Sequence, residues 1–181
     1  MSHLRTWGLV VLIGIFAVSV ADADVLRVEV DRRVEVLGGQ AFGAHGAYEL
    51  IEGRIYFAFD PANPANDRIV DLDLAPRDSA GRVRAWANFT VLQPVDPDKR
   101  RGLGLVEVSN RGGKFTLPYF NYATAALDPS NPKAFGDGLL MEKGLTAIWV
   151  GWQWDVPRGE GNLRLRVPTA RQPDGGPIFG R

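Results

Sequence analysis

The sequence contains no cysteine and only two histidines, and both shortages restrict the chemistry open to the chain. Without cysteine there is no disulfide framework, no cysteine-ligated metal cluster and no thiol nucleophile. Lysine plus arginine and aspartate plus glutamate balance at 21 each, so no excess charge predicts nucleic acid as a partner. No Walker loop, zinc-ligand spacing or dinucleotide fingerprint is present, so we predict neither a metal nor a cofactor. What is present, 45% apolar and 23% charged residues among 181, is typical of a globular protein.

Residues 1–23 have the pattern of a secretory signal peptide. Arg5 precedes an apolar run, Trp7–Val20, and the triplet Ala21-Asp22-Ala23 resembles a cleavage site before Asp24. The run is shorter than the about 20 residues that span a bilayer, although an uncleaved anchor is the alternative. We therefore predict export, with no further membrane association, and the lack of cysteine favours a bacterial periplasm or exterior.

The segment 24–92 alternates apolar and polar residues in short runs that turns separate. Alternation with a period of two predicts half-buried strands, and prolines, asparagines and glycines between the runs predict turns. Short strands joined in this way predict an antiparallel meander. The predicted strands are Val25–Val36, Tyr48–Asp60, Arg68–Leu74 and Val83–Leu92. In the last strand the residues expected to face inward are Val83, Ala85, Ala87, Phe89 and Val91.

The segment 103–155 predicts a βαβ unit. Leu103–Val108 and Leu145–Val150 are compact apolar runs, typical of strands that are covered on both faces. Between them, Ala134–Lys143 can form a short helix that Gly144 closes as a C-cap. Strands joined by a helical crossover should lie side by side and parallel. The tail, 156–181, is predicted to be irregular apart from a short strand at 163–167.

The turn that follows the first apolar strand is the strongest candidate for a functional site. Its residues are Asn110, Arg111, Gly112 and Gly113. Successive glycines let backbone N–H groups turn toward a ligand, and ligands bind at the carboxyl ends of parallel strands. Such donors could stabilise the oxyanion of a tetrahedral intermediate. An ordinary tight turn between strand and helix is the alternative.

The second apolar strand ends in a segment that contains three tryptophans. Trp152, Trp154 and Asp155 could line an apolar pocket that has a few polar contacts. In the alternative interpretation Trp149 is a core residue, and the other two tryptophans cover the neighbouring β-rich half of the chain.

Other chemistry-bearing residues indicate no catalytic site in this chain. His45 is predicted to be a loop histidine because it has no evident nucleophile or acid beside it. None of the serines that follow residue 23 stands in G-x-S-x-G. Asp71 and Asp73 are predicted on the solvent side of an edge strand, and Asp96 and Asp98 in a solvated turn.

As a whole, the order of elements from Arg82 to Asp155 resembles the opening of an α/β-hydrolase. Val83–Leu92, Leu103–Gly113 and Gly138–Val150 look like its second strand, its third strand with the oxyanion loop, and its helix A with the fourth strand. The phrases GAYELIEGRIYFAFDP, NRGGKF, GDGLLMEKGLTAIWVGWQWD and LRLRVPTA are similar to a family of large, mostly bacterial α/β-hydrolase domain proteins of undefined substrate. The similarity covers about 43–168. The expected fold class is therefore α/β with a β-rich N-terminal half, in which a meander leads into an incomplete hydrolase sheet.

The resemblance implies that backbone donors of Gly112 or Gly113 form an oxyanion hole. In that fold the nucleophile follows the fifth strand and the acid and histidine come later, and none of these positions matches this chain. Two parallel strands and one crossover also cannot cover both faces of a doubly wound sheet. We therefore expect an N-terminal fragment of an exported serine-type hydrolase that acts on a small-molecule ester or similar substrate, and we expect the fragment alone to be inactive. The alternative is a complete periplasmic binding module that uses the tryptophan-lined mouth for a carbohydrate or lipid.

Overall fold

The computed structural model describes residues 24–124, 126–159 and 161–179, so the predicted signal peptide lies outside the described residues. Within these ranges six strands form one mixed sheet that few helices accompany, and the architecture is mostly β. The strands are β1 (Asp24–Glu35), β2 (Tyr48–Phe59), β3 (Val83–Pro94), β4 (Gly104–Val108), β5 (Thr146–Val150) and β6 (Leu165–Arg166). The helices are α1 (Thr116–Asn121) and α2 (Leu139–Glu142), and short 3₁₀ turns lie between the elements.

The strand order is β1-β2-β3-β5-β4, and β6 pairs with the other end of β3. The first three strands are antiparallel, as the alternating pattern predicted. β5 is antiparallel to β3 but parallel to β4, in a register that runs from Gly104 opposite Thr146 to Val108 opposite Val150. The prediction that the two apolar runs lie side by side and parallel is therefore confirmed.

The expectation that both apolar runs are covered on both faces is wrong for β4. This strand forms the edge of the sheet in the described residues, where Val106 and Val108 are 62% and 76% exposed. β5, which is likewise mainly apolar, lies between β3 and β4 and buries Ala147 and Trp149. An apolar strand sequence does not distinguish the two positions, because coverage depends on what packs above the strand.

The predicted strand over Arg68–Leu74 is also wrong. The chain there makes turns and a 3₁₀ turn at Leu72–Leu74, since Asp71 has φ +57°, a left-handed conformation that interrupts an extended strand. Asp71 and Asp73 consequently lie in a turn and not on one face of an edge strand.

The sheet is covered on opposite faces at its two ends. The main core packs α1, α2 and the 132–135 turn against one face, and includes Tyr48, Leu50, Leu92, Ala147 and Trp149. Near the other end Leu72 lines a groove together with Val83 and Ala85, whose side chains point to the opposite face. The buried face of β3 therefore switches along the strand. Val83, Ala85 and Ala87 are buried on one face, and Thr90 and Leu92 are buried on the other. Phe89 and Val91, which were expected to face inward, are only half-buried.

The crossover helix is shorter than predicted. Only Leu139–Glu142 is helical, because Gly136 and Gly138 adopt φ values of +61° and +76° that break the helical path. Gly144, with φ +69°, follows the helix at its predicted end. Across the described ranges no helix has the length and apolarity that a membrane crossing requires.

Candidate functional site at the carboxyl ends of β4 and β5

The Asn110–Gly113 turn begins directly beyond β4 and is tightly constrained. Arg111 and Gly112 both have positive φ values, +51° and +78°, and the Gly113 N–H donates to the carbonyl oxygen of Asn110 at 3.1 Å. A Cβ at Gly112 would lie 2.6 Å from the carbonyl oxygen of Leu163. Glycine is therefore required here both for its backbone conformation and for the close approach of a second chain segment.

The backbone donors of this turn differ in their availability. The Arg111 N–H donates to Oε1 of Gln153 at 2.6 Å, and the Gly113 N–H is used inside the turn. The Gly112 N–H makes no hydrogen bond to another described residue, although its carbonyl oxygen accepts one from the N–H of Leu163 at 3.0 Å. Of the two glycine donors that the sequence indicated, Gly112 is therefore the one whose N–H lacks an acceptor among the described residues, although the residue itself is buried.

Because β4 and β5 are parallel, their loops meet at the same edge of the sheet, and direct contacts join them. Nη1 of Arg111 lies 2.5 Å from Oδ2 of Asp155 in an ion pair. The indole N–H of Trp152 donates to the carbonyl oxygen of Ser109, just before the turn. The structure thus brings together the glycine turn and the tryptophan segment, which are about 40 residues apart in the sequence.

The three tryptophans occupy different environments. Trp149 is fully buried in the core, whereas Trp152 and Trp154 are 53% and 66% exposed. Trp154 lines an apolar groove of about 440 Å³ on the sheet, and Trp152 does not line that groove. Other residues of the groove are Phe59, Ile69, Val70, Val83, Leu165 and Val167. Asp155 faces Arg111 instead, so the three predicted pocket residues do not line one common cavity.

Glu107 is a site residue that the sequence analysis did not identify. Its carboxylate accepts hydrogen bonds from the N–H of Phe115 at 2.9 Å, the N–H and Oγ1 of Thr116 at 2.7 and 2.6 Å, and the indole of Trp149 at 2.5 Å. These bonds connect β4, the start of α1 and β5. The sequence did contain a signal for Glu107, a carboxylate inside an otherwise apolar strand. A carboxylate that is buried in such a strand has to be hydrogen-bonded.

A polar cleft of about 370 Å³ lies beside the glycine turn. Lys114, which follows Gly113, lines it, and its Nζ donates to the carbonyl oxygen of Gly161 at 2.6 Å. Burial lowers the pKa of the Lys114 ammonium, while the nearby Glu52 and Glu107 carboxylates act in the opposite direction. The cleft joins strands β2, β3 and β6 to residues 158–159 and 161–164, so no local sequence pattern could have predicted it.

The remaining candidates are surface features. Nδ1 of His45 lies 2.6 Å from the carbonyl oxygen of Lys99, in a 3₁₀ turn at the opposite end of the sheet from the glycine turn. Asp96 accepts the N–H of Asp98 at 3.0 Å at the start of another exposed turn. In the parts of the chain that the structure describes, no three histidine or carboxylate side chains converge as a metal site would require.

No family model matches this chain, and neither a curated protein nor a solved structure matches it. What the chain does is therefore to be inferred from its own residues and their contacts.

Proposed function

We propose that this chain supplies the opening strands and the oxyanion turn of an exported α/β-hydrolase-like protein. The complete protein hydrolyses an ester or a related acyl bond of a small molecule by means of a serine nucleophile. The observation that carries this proposal is the parallel pairing of β4 and β5, with the Gly112 turn at the tip of β4. A free backbone N–H at that position is the kind of donor that stabilises a developing oxyanion. Residues 1–23 act as the export signal.

The exposed edge of β4 supports the same proposal. In the described residues β4 pairs only with β5, and its Val106 and Val108 side chains face solvent. An exposed apolar edge strand is a liability that proteins normally cover or pair. A further strand that pairs with β4 would satisfy its free edge and deliver a nucleophile beside Asn110, and the helix that leads to that strand would cover these valines. No serine of this chain stands in G-x-S-x-G, so we propose that the nucleophile, acid and histidine lie outside these 181 residues.

The experiment compares the product of the complete reading frame with the 181-residue chain. The complete product should contain G-x-S-x-G followed by a late acid and histidine, hydrolyse p-nitrophenyl esters and react with a fluorophosphonate probe. The 181-residue chain should neither hydrolyse these esters nor react with the probe. The absence of all three triad elements from the complete product, or saturable turnover by this chain alone, would overturn the proposal.

A matched pair of variants tests the role of the turn in the complete product. Arg111→Ala removes the ion pair to Asp155 and should lower kcat by about tenfold or more, since small misplacements of a catalytic donor are costly. Arg68→Ala changes an exposed arginine that makes no hydrogen bond or ion pair to the turn among the described residues, and it should leave kcat unchanged. Equal kcat values for the two variants would argue against a positioning role for the loop contacts.

The apolar groove beside Trp154 favours a second candidate function, the binding of a lipid chain by a non-catalytic module. The groove is lined mainly by apolar side chains and carries a largely exposed tryptophan at its rim. Under this alternative, laurate should change the tryptophan fluorescence of the 181-residue chain in a saturable way, and Trp154→Phe should remove most of that change. Lack of any laurate effect leaves the hydrolase proposal as the better one.

A further inference from the structure

Four cationic side chains line the polar cleft beside the glycine turn. They are Lys114, Arg158, Arg164 and Arg166. The cleft is open to solvent on one side and has Asn88 and Thr90 of β3 at its base. This concentration of positive charge is unusual in a chain whose total charge is balanced.

The positive charges of this cleft have no ionic partners among the described residues. None of the four cations lies within ion-pair distance of a described carboxylate; Glu160 lies outside those residues. The two acids that line the cleft are paired elsewhere: Asp31 with Arg54 at 2.6 Å, and Glu52 with Arg32 at 3.3 Å. Among the described residues the lining therefore holds more cations than carboxylates, four against two.

The guanidinium groups also have unused donors. Nε and Nη1 of Arg164 and Nε of Arg166 are shielded from solvent and have no hydrogen-bond partner among the described residues. A shielded donor without an acceptor costs free energy, and rotation of the guanidinium toward a bound anion would recover it. The Arg166 guanidinium lies 5.6 Å from the ring centroid of Trp86, which holds it in place. Desolvation, together with the like charges of Arg164 and Arg158, lowers the pKa of Arg166.

We propose that this cleft binds the anionic group of a small molecule, a phosphate or a carboxylate. Such a group supplies several acceptor oxygens to guanidinium donors in fork geometry, and its charge offsets the repulsion between the arginines. The cleft lies over β2, β3 and β6, and its lining does not include the free N–H of Gly112. This inference is therefore independent of the hydrolase proposal and stands or falls on its own.

The direct test is calorimetric titration of the 181-residue chain with inorganic phosphate and, separately, with acetate. Saturable binding of either anion is expected, and the preferred anion identifies the group. Arg166→Gln should weaken that binding by about tenfold or more, because a charge-assisted hydrogen bond is lost. Arg68→Gln, at an exposed arginine outside the cleft, should leave it unchanged. Absence of saturable binding of both anions, or equal weakening in the two variants, would overturn the proposal.

A second measurement on the unmodified chain avoids any variant that fails to fold. Phenylglyoxal modifies accessible arginines, and mass spectrometry reports the extent at each position. Phosphate or acetate should protect Arg158 and Arg166 but not Arg68, and uniform protection or none would contradict the proposal. Arg164 does not report in this assay, because its Nε and Nη1 are shielded from solvent. Glu160→Gln should raise the anion affinity by less than about tenfold, because the proposal assigns anion binding to the four cations of the cleft. A gain of about tenfold or more would instead mean that Glu160 neutralises the cleft from within the chain, which would also overturn the proposal.

Discussion

Replacing Glu107 by alanine should destabilise the chain more than any surface substitution, because this carboxylate of β4 is the shared acceptor of two other elements, the start of α1 and β5. It receives the indole N–H of Trp149, the N–H and hydroxyl of Thr116, and the N–H of Phe115. Trp149 is fully buried and Thr116 nearly so, so both residues lose their acceptor in a buried setting.

The expected magnitude follows from the donors that lose their partner. The Trp149 and Thr116 N–H groups would each become buried and unsatisfied, at about 1–3 kcal/mol apiece. The Thr116 hydroxyl can rotate to another acceptor and is left out of the sum. Glu107→Ala should therefore lower the free energy of unfolding by about 2–6 kcal/mol, a large part of the 5–15 kcal/mol that is typical of a domain. Glu107→Gln keeps one acceptor oxygen, so its free energy of unfolding should lie between those of the wild type and of Glu107→Ala.

Urea unfolding followed by tryptophan fluorescence measures this loss, and the slope of the transition should stay unchanged. Glu142→Ala is the matched control, since Glu142 is an exposed glutamate at the end of α2 and should change stability by less than about 0.5 kcal/mol. A loss below about 1 kcal/mol for Glu107→Ala, or an equal loss in the control, would refute the shared-acceptor role.

Two further predictions concern the glycine turn and pH. Gly112→Ala should lower the free energy of unfolding in urea by about 1–3 kcal/mol more than Gly81→Ala does. Both glycines have φ near +77°, but only Gly112 faces a carbonyl oxygen, that of Leu163. Equal losses in the two variants would contradict the close packing at Gly112. A hydrogen bond from Arg84 lowers the pKa of Asp78 to about 2. The folded-state pKa is below the unfolded value of about 3.9, so the stabilisation is present above that pH and disappears as the pH falls toward 2. The melting temperature should therefore fall less steeply with acid in Asp78→Asn than in the wild type, and identical slopes would exclude this contribution.

The antiparallel strands could be predicted because their pattern is local. A strand with alternating side chains, as in β1, β2 and β3, carries its period in the sequence whatever packs against it. The segment 68–74 shows where this argument stops, because alternation at Val70, Leu72 and Leu74 also suits a turn in which Leu72 alone is buried. Backbone conformation at a single residue, Asp71, decided between the two.

The candidate sites divide in the same way. The glycine turn at 110–113 was identifiable because adjacent glycines after an apolar strand are a local signal. The role of Glu107 and the cleft at Arg164 and Arg166 could not be identified from the sequence. The residues that surround them come from distant segments of the chain.

By itself the sequence determined the long strands, the turns and the parallel pairing of the two apolar segments, all of which follow from short-range periodicity and crossover geometry. Only the tertiary structure decided that β4 is an edge and β5 a central strand. It alone also decided that Arg111 meets Asp155 and that four cations share one cleft. The physical reason is that exposure and charge balance depend on the neighbours a residue acquires when the sheet assembles, and those neighbours lie far along the chain.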